Sequence, residues 1–583
     1  MESAIDHDVV VVDEFDALSI EVKTSAEPVE SVVSVAPIPT KFPGTLPAPC
    51  YHSRTVLSGH RDKRRWDLDK TWMVSPRMES SHLLYPVCDC PKLHARKVAA
   101  ELNASDGLVF LPGEPSRSYE DSDMGPTFRQ RRYFYYLSGA NFADCAVTYE
   151  LASDRLILWI PYVEPRQVLW FGSTPGISEC LKQLDVDDVR YTTQLNKFLY
   201  RHLTPGSTLY VLHADQVPPL LHGDLLQTAA EVRVDATSLQ PAADQARVVK
   251  TEYEVAMIRK AAAVSAAAHR KVAERLLKLG NESEIEAIFQ AWCTTEGARE
   301  QSYAIIAGSG KNASTLHYDA NDEPLEGREV VVFDAGCEWH CYASDITRTL
   351  PISGRFSTES RAVYDVVARM QDECIACIRP GTLFFDLHVH ASRVAQEGLL
   401  KLGVLRGDPA EVWDAGTVAA FFPHGLGHHV GLEVHDVSGR ERLLLLNKGT
   451  GGRVGKREVI TPEMMSAMAQ AGVGAGVGGA AAAAASVPPP YRGRQYLRKN
   501  MIVTVEPGIH TKNSYFCREY IEGYFLSNPR HARFINKAVL ERYYRVGGVR
   551  IEDDILVTDD GYENLSTGAP KGEELLRVIN GKA

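Results

Sequence analysis

Two aspartates on adjacent predicted strands constrain this chain more than any other feature. The stretch Val330–Thr349 starts with an apolar run ending at Asp334, passes a glycine-containing turn, and continues into a second extended run that carries Asp345. This pattern predicts two antiparallel strands. Two carboxylates in one pocket repel each other and lose hydration, so they need a cation or a shared proton. The stretch therefore predicts either part of a metal site or a pair of acids sharing one proton.

A second dense stretch, Pro423–Asp436, combines four histidines with three glycines. The histidines are His424, His428, His429 and His435. Imidazole clusters indicate metal ligation or acid–base chemistry. Glycine lets the backbone approach a crowded centre. This stretch is therefore the second candidate contributor to a functional site.

Two glutamates downstream each end or interrupt an apolar strand. Glu506 follows an apolar run and precedes a proline. Gly547–Val557 alternates in polarity, which predicts that Arg550, Glu552 and Asp554 face one way. An acid that faces inward on a sheet needs a partner.

Together these stretches supply four carboxylates and one imidazole: Asp334, Asp345, His428, Glu506 and Glu552. An oxygen-rich set with one nitrogen suits Mn²⁺ or another hard-to-borderline divalent ion, whereas structural Zn²⁺ usually has cysteine ligands. Four carboxylates carry a charge of −4, about what two divalent ions neutralise. The set predicts a two-metal hydrolytic site.

Composition and charge argue against several classes of protein. The chain has 63 Lys and Arg against 75 Asp and Glu, a net charge of −12, which argues against nucleic acid or an anionic membrane as a partner. The eleven cysteines are scattered and the first residues are acidic, which predicts a reduced, cytoplasmic location without a targeting segment. The longest uncharged stretch is rich in Ala, Gly and Pro, so no membrane span is expected.

The periodicity of the chain predicts an α+β protein with two folded domains. Residues 1–90 are predicted to be a largely disordered extension, 91–245 a smaller α/β domain, 246–570 a second, larger domain that carries the candidate site residues, and 571–583 a tail. An insert at about 438–498 is rich in Gly, Ala and Pro. This composition predicts a disordered surface excursion, with a lid or an oligomer contact as the alternative.

The ligand candidates lie in sequence contexts that resemble a known family. The contexts FDAGCEWHCYASD, HGLGHHVGLEVHD, TVEPG and VRIEDD are similar to the proline-specific branch of the pita-bread metallopeptidases, family M24B. This branch contains the Xaa-Pro aminopeptidases (aminopeptidase P) and the prolidases, and the chain most resembles the fungal members. Residues 131–139, RRYFYYLSG, resemble a stretch of the family's α/β amino-terminal domain. The resemblance implies a curved antiparallel sheet with flanking helices, a dimetal site on its concave side, and a homodimer or homotetramer.

The resemblance also implies how the two ions would be held. Asp334 would bind one ion, Asp345 and Glu552 would bridge both, and His428 and Glu506 would complete the second. The ions are expected to be Mn²⁺.

Four further residues match positions around the substrate in this family. His317 matches a histidine beside the scissile carbonyl, and His435 one that contacts the substrate or the tetrahedral intermediate. His424 matches the histidine that opens its motif. Arg550 would hold a ligand aspartate through a charge-assisted pair.

The implied activity is hydrolysis of the Xaa-Pro bond at the amino terminus of peptides with proline at the second position. A hydroxide bridging the two ions would attack the carbonyl, and Glu506 would pass a proton to the leaving proline nitrogen. The Xaa-Pro bond is a tertiary amide without an N–H, so a site that binds the backbone N–H of the residue after the cut would fail on it. A dedicated enzyme is therefore chemically sensible. The alternatives are a prolidase restricted to dipeptides, a methionine aminopeptidase on the same fold, and a non-catalytic peptide-binding module.

Overall fold

The computed structural model describes five ranges of the chain: 90–218, 221, 232–444, 493–511 and 519–582. By their internal contacts, all the described residues belong to one compact unit. The predicted extension lies outside the described residues except for Cys90. The same holds for residues 445–492 of the predicted insert, so its disorder and its alternatives stay predictions.

The amino-terminal domain is built on one mixed sheet. Its strands are β1 (Leu108–Pro112), β2 (Ala146–Glu150), β3 (Arg155–Ile160), β4 (Asp188–Tyr191), β5 (Thr208–Tyr210) and β6 (Arg233–Asp235). Their order is β4-β3-β2-β1-β5-β6, with β1–β2 and β2–β3 antiparallel and the other pairs parallel. Around the sheet lie α1 (Cys90–Leu102), α2 (Arg132–Ser138), α3 (Pro165–Phe171), α4 (Ile177–Gln183) and α5 (Leu195–His202).

Aliphatic and aromatic side chains hold this sheet between its helices. Leu156, Ile157 and Leu158 are fully buried, as the β-branched and leucine-rich run of β3 predicts. Trp159 is also buried, and its indole donates a hydrogen bond to Thr148 Oγ1 at 2.9 Å. The buried polar group is thereby satisfied, and the predicted α/β character of this domain is confirmed.

Helices connect the amino-terminal sheet to the second domain. They are α6 (Leu239–Val248), α7 (Glu252–Arg275) and α8 (Glu282–Thr295). Helix α7 begins with a capping box, because Thr251 Oγ1 accepts from the amide of Glu254 and the Glu254 carboxylate accepts from the amide of Thr251. This long helix packs along α8.

Three small antiparallel sheets form in the described part of the second domain. Their strands are β7 (Ile306–Ser309), β8 (Val330–Asp334), β9 (Thr347–Pro351), β10 (Ile502–Val505), β11 (Gly508–His510), β12 (Gly548–Arg550), β13 (Asp553–Val557) and β14 (Tyr562–Asn564). The sheet orders are β7-β8-β9, β10-β13-β14 and β11-β12. The flanking helices are α9 (Thr358–Ala376), α10 (Phe384–Lys401), α11 (Pro409–Ala415), α12 (Pro529–Ala532), α13 (Lys537–Tyr543) and α14 (Gly572–Ile579). The α+β class is confirmed.

The structure corrects two predicted strands. The strand expected to carry Asp345 begins at Thr347, so Asp345 lies in the connection before it. There the amide of Asp345 donates to Asp554 Oδ2 at 3.0 Å instead of joining a strand ladder. The run Gly547–Val557, predicted as one strand, is two strands separated at residues 551–552.

The carboxyl-terminal residues are part of the core. The segment predicted as a tail forms α14, and its Leu575, Val578 and Ile579 are buried in an apolar cluster. None of the helices in the described ranges combines the length and the apolar character needed to cross a bilayer.

Candidate metal centre

The hairpin β8–β9 places its two aspartates within hydrogen-bonding distance of the Tyr303 hydroxyl. Asp334, the last residue of β8, and Asp345 are both buried. The hydroxyl oxygen of Tyr303 lies 2.5 Å from Oδ1 of each. A glycine is required in the turn, because a Cβ on Gly336 would lie 1.9 Å from the carbonyl oxygen of Ser344. The two arms of the connection therefore approach closely enough to share one partner.

Glu506 and Glu552 lie where the strands of the other two sheets are interrupted. Strand β10 pairs with β13 and β11 pairs with β12, so the break at Glu506 lies opposite the break at Glu552. Glu552 Oε2 accepts from the hydroxyl of Thr347 at 2.6 Å. Its amide donates to the carbonyl of Thr347 at 3.1 Å, which ties this break to the aspartate hairpin.

The histidine loop lies directly against β10. A Cβ on Gly427 would lie 2.0 Å from the carbonyl oxygen of Thr504, so only glycine allows this approach. The carbonyl of His428 accepts from the amide of Thr504 at 2.8 Å, and the amide of His428 donates to Thr504 Oγ1 at 3.0 Å. His428 Nδ1 lies 3.0 Å from the carbonyl oxygen of His429. Because Nδ1–H donates to that carbonyl, the lone pair is on Nε2. Nε2 lies 3.4 Å from both Asp345 Oδ2 and Glu506 Oε1.

The five predicted ligands converge on one place. Three overlapping groups each have their ligand atoms within 4.8 Å of one another: Asp345, His428 and His435; His428, Glu506 and Glu552; Asp334, Asp345 and Glu552. Every predicted ligand belongs to at least one group. Two adjacent ions fit within such a span.

The electrostatics of the cluster match a cation site. Burial first, and then the neighbouring carboxylates, raise the pKa values of Asp345 and Glu552 well above their usual range. The pKa of Glu506 is raised for the same leading reason. Within the described residues, the buried Glu552 Oε1 has no hydrogen-bond partner. An oxygen-rich donor set with this much uncompensated charge fits divalent cations.

One arginine offsets part of this charge. The buried guanidinium of Arg550 donates from Nη2 to Asp334 Oδ2 at 2.5 Å, as the resemblance implies for it. Its Nε also donates to Thr347 Oγ1 at 3.3 Å. The pair fixes the orientation of Asp334.

The remaining predicted histidines differ in exposure. His435 and His317 are exposed, with ring centroids 6.4 Å apart, and the His435 ring lies 4.3 Å from that of His428. His424 is partly buried, and its Nε2 is 3.3 Å from Nε2 of His510. Burial, with the nearby Arg550 charge, lowers the pKa of His424 to about 3, so this imidazole is neutral at physiological pH.

Comparisons with known proteins agree with this geometry. A family model described as Metallopeptidase family M24 matches residues 256–481 and 457–559, and one described as Aminopeptidase P, N-terminal domain, matches 93–210. A probable Xaa-Pro aminopeptidase of Colletotrichum graminicola is 80% identical and is covered, like this chain, over 100% of its length. This chain belongs to the M24 metallopeptidase family.

Further relatives support the same placement. A probable Xaa-Pro aminopeptidase of Metarhizium acridum is 57% identical over 84% of this chain and 93% of its own length. The solved structure of E. coli aminopeptidase P with the inhibitor Pro-Leu has a TM-score of 0.65 and 25% identity, covering 85% of this chain and 99% of that one. These matches do not favour a dipeptide-restricted prolidase or a non-catalytic module.

Sequence reasoning on this M24 chain missed three residues at the centre: Tyr303, His510 and Asp554. For Asp554 a signal exists in the sequence, because the alternation of Gly547–Val557 predicts that it faces the same way as Glu552. It is buried, and its pKa is raised to about 7 by burial. A lone tyrosine at the start of an apolar run and a histidine after a strand carry no such signal.

Proposed function

We propose that this chain is a dimetal Xaa-Pro aminopeptidase, which removes the amino-terminal residue of peptides with proline at the second position. Its class, a metal-dependent exopeptidase acting on Xaa-Pro bonds, follows from its family. The observation that carries the proposal is the convergence of four carboxylates and one imidazole, far apart along the chain, within ligand-bridging distance. Related proteins named for this activity align over the full length of the chain.

The proposed ligands follow the arrangement of the cluster. Asp334 would hold one ion, Asp345 and Glu552 would bridge two ions, and His428 with Glu506 would complete the second. Asp345 and Glu552 suit the bridging role because each belongs to two of the three overlapping ligand groups and each carboxylate has two oxygens to offer. His428 also belongs to two groups, but its imidazole has a single ring nitrogen free to bind an ion.

The chain's own residues would bind and orient the substrate and move protons. Divalent cations, when bound, supply an activated water and polarise the scissile carbonyl. The Glu506 carboxylate would take the proton of the attacking water and deliver it to the leaving proline nitrogen. The exposed His317 and His435 would contact the substrate on the open side, and His424 is proposed to line the same site as a neutral imidazole. Arg550 would keep Asp334 ionised and oriented.

Three finer statements belong to the same proposal. The native ions are proposed to be Mn²⁺, because oxygen donors dominate the set and it contains no cysteine. The protein is proposed to act in the cytoplasm, because its cysteines are scattered and the eight in the described ranges are free. It is proposed to assemble as a homodimer or homotetramer, as its family resemblance implies.

The test is metal-dependent turnover of matched peptides. The protein is dialysed against a chelator, its metal content is measured, and it is reloaded with Mn²⁺ or Zn²⁺. We expect two ions per chain and release of the first residue from Ala-Pro-Ala, with no release from Ala-Ala-Ala. Turnover of Ala-Pro alone, without Ala-Pro-Ala, would assign a prolidase instead. Failure to cleave either proline peptide with either metal would refute the proposal.

A further inference from the structure

A cleft of about 500 Å³ opens between the amino-terminal domain and the histidine loop. Its polar lining includes Glu114, Arg129, Arg131, His213, Gln216 and Glu433. We call it the arginine cleft. It lies outside the proposed ligand set, and no role has been assigned to it above.

The arginine cleft opens beside the metal centre. Its wall residue Glu433 precedes His435 by two positions, a separation of at most about 7 Å along an extended chain. A ring nitrogen of His435 lies within 4.8 Å of ligand atoms of Asp345 and His428. A peptide held at the centre therefore has this cleft within reach.

Ion pairs with the amino-terminal domain fix the position of the cleft wall. Arg129 Nη2 donates to Glu433 Oε2 at 2.7 Å and lies 3.4 Å from Glu338 Oε1. The buried Arg132 also pairs with Glu338. Glu338 belongs to the β8–β9 connection that carries Asp345, so the same arginines hold two loops of the centre.

Unlike Arg129, Arg131 has guanidinium donors that make no hydrogen bond within the described residues. Its Nε donates to Glu114 Oε2 at 2.9 Å. Among the described residues its two terminal nitrogens carry no hydrogen bond, and its side chain is 33% exposed. The terminal nitrogens of Arg129, by contrast, are engaged by Glu433. A guanidinium with a free planar edge suits a carboxylate.

The direction of the substrate decides what can occupy the cleft. In the proposed function, the amino-terminal residue and the Xaa-Pro bond lie at the ions, so the rest of the peptide must leave through the open side. Each residue beyond proline advances about 3.3–3.6 Å. Two or three residues beyond proline therefore span roughly 7–11 Å, which is comparable with the chain separation between His435 at the centre and Glu433 at the cleft wall.

We propose that the arginine cleft binds the part of the peptide beyond the proline, and that Arg131 binds a carboxylate there. This inference rests on the proposed function. The carboxylate is either the carboxyl terminus of a short peptide or an acidic side chain of a longer one. Arg131 is thus a specificity residue that acts on binding and does not touch the reacting atoms.

The test compares peptides that differ in a single carboxylate. The wild-type protein and Arg131→Ala are assayed on Ala-Pro-Ala-Ala, on its carboxyl-terminal amide, and on Ala-Pro-Ala-Asp-amide. We expect Arg131→Ala to raise KM roughly two- to fivefold for a carboxylate peptide, as for a partly exposed ion pair, with kcat unchanged. The neutral amide should be unaffected, and Arg131→Lys should retain part of the preference.

A matched control removes an arginine elsewhere on the same domain. Arg155 is 43% exposed and pairs with Asp188 away from the cleft, so Arg155→Ala should leave all three KM values unchanged. An effect confined to the free tetrapeptide assigns the carboxyl terminus, and one confined to the aspartyl amide assigns the side chain. Equal KM changes for all three peptides, or none, would overturn the inference. Absence of turnover by the wild-type protein would instead count against the proposed function.

Discussion

Replacing Tyr303 by phenylalanine tests whether the phenol helps to hold the ions. Its hydroxyl oxygen lies 2.5 Å from one oxygen of Asp334, the proposed ligand of one ion, and from one of Asp345, a proposed bridge between both ions. A phenol has a single proton, so it donates fully to one carboxylate at a time. The ring itself is retained by the substitution, so the effect of a cavity is avoided.

The magnitude follows from that single bond. A hydrogen bond to a charged group contributes roughly 1.5–3 kcal/mol, and each 1.4 kcal/mol corresponds to about a tenfold change in affinity. Tyr303→Phe should therefore weaken binding of Mn²⁺ roughly 10- to 150-fold, close to the 10- to 100-fold typical of residues that orient metal ligands. At saturating metal, kcat should fall much less, because the ligands themselves remain.

Calorimetric titration of the chelator-treated protein with Mn²⁺ measures this affinity directly. Tyr318→Phe is the matched control, because it removes an equivalent hydroxyl that donates at 2.8 Å to Glu282, a carboxylate outside the cluster. Unchanged Mn²⁺ affinity in Tyr303→Phe, or an equal loss in both variants, would refute the reasoning.

Two other predictions follow from buried charges. Asp345→Asn and Glu552→Gln should each abolish metal-dependent cleavage of Xaa-Pro peptides and lower the bound metal, measured by elemental analysis; full activity in either would contradict the dimetal assignment. Burial alone would raise the pKa of Asp436, but the charges of Arg247 and Lys250 outweigh it and hold the pKa below its usual range. The unfolding free energy in urea should therefore be maintained above about pH 4 and fall as the pH drops through the folded-state pKa. Asp436→Asn, which leaves two buried cations unpaired, should cost roughly 3–5 kcal/mol at pH 7 and show a shallower acid decline; an unchanged acid decline would contradict this assignment.

The sequence predicted which side chains converge better than it predicted the strands that carry them. Asp334, Glu506 and Glu552 each end or interrupt an apolar run, and a buried acid in such a place needs a partner. That reasoning uses only the residues next to each acid in the sequence. The break at residues 551–552 could not be foreseen, because it depends on β10 and β11 pairing with separate parts of the same run.

The missed residues show where local reasoning ends. Tyr303 meets Asp334 and Asp345 across 31 and 42 positions of the chain, so only the folded arrangement reveals the contact. His510 likewise meets His424 across 86 positions. The arginine cleft is of the same kind, since Arg129 and Glu433 are 304 positions apart.

The hydrogen bonds between the aspartate hairpin and the start of β13 have a consequence for biosynthesis. Arg348 donates to the carbonyl oxygen of Glu552 at 2.7 Å and to Asp553 Oδ1 at 2.7 Å, so the two halves of the centre are joined across 204 positions of the chain. A growing polypeptide on the ribosome that has already made the aspartate hairpin still lacks Glu552. Chains that stop before Glu552 should therefore be hydrolytically inert, which would protect other newly made proteins from trimming by an unfinished protease.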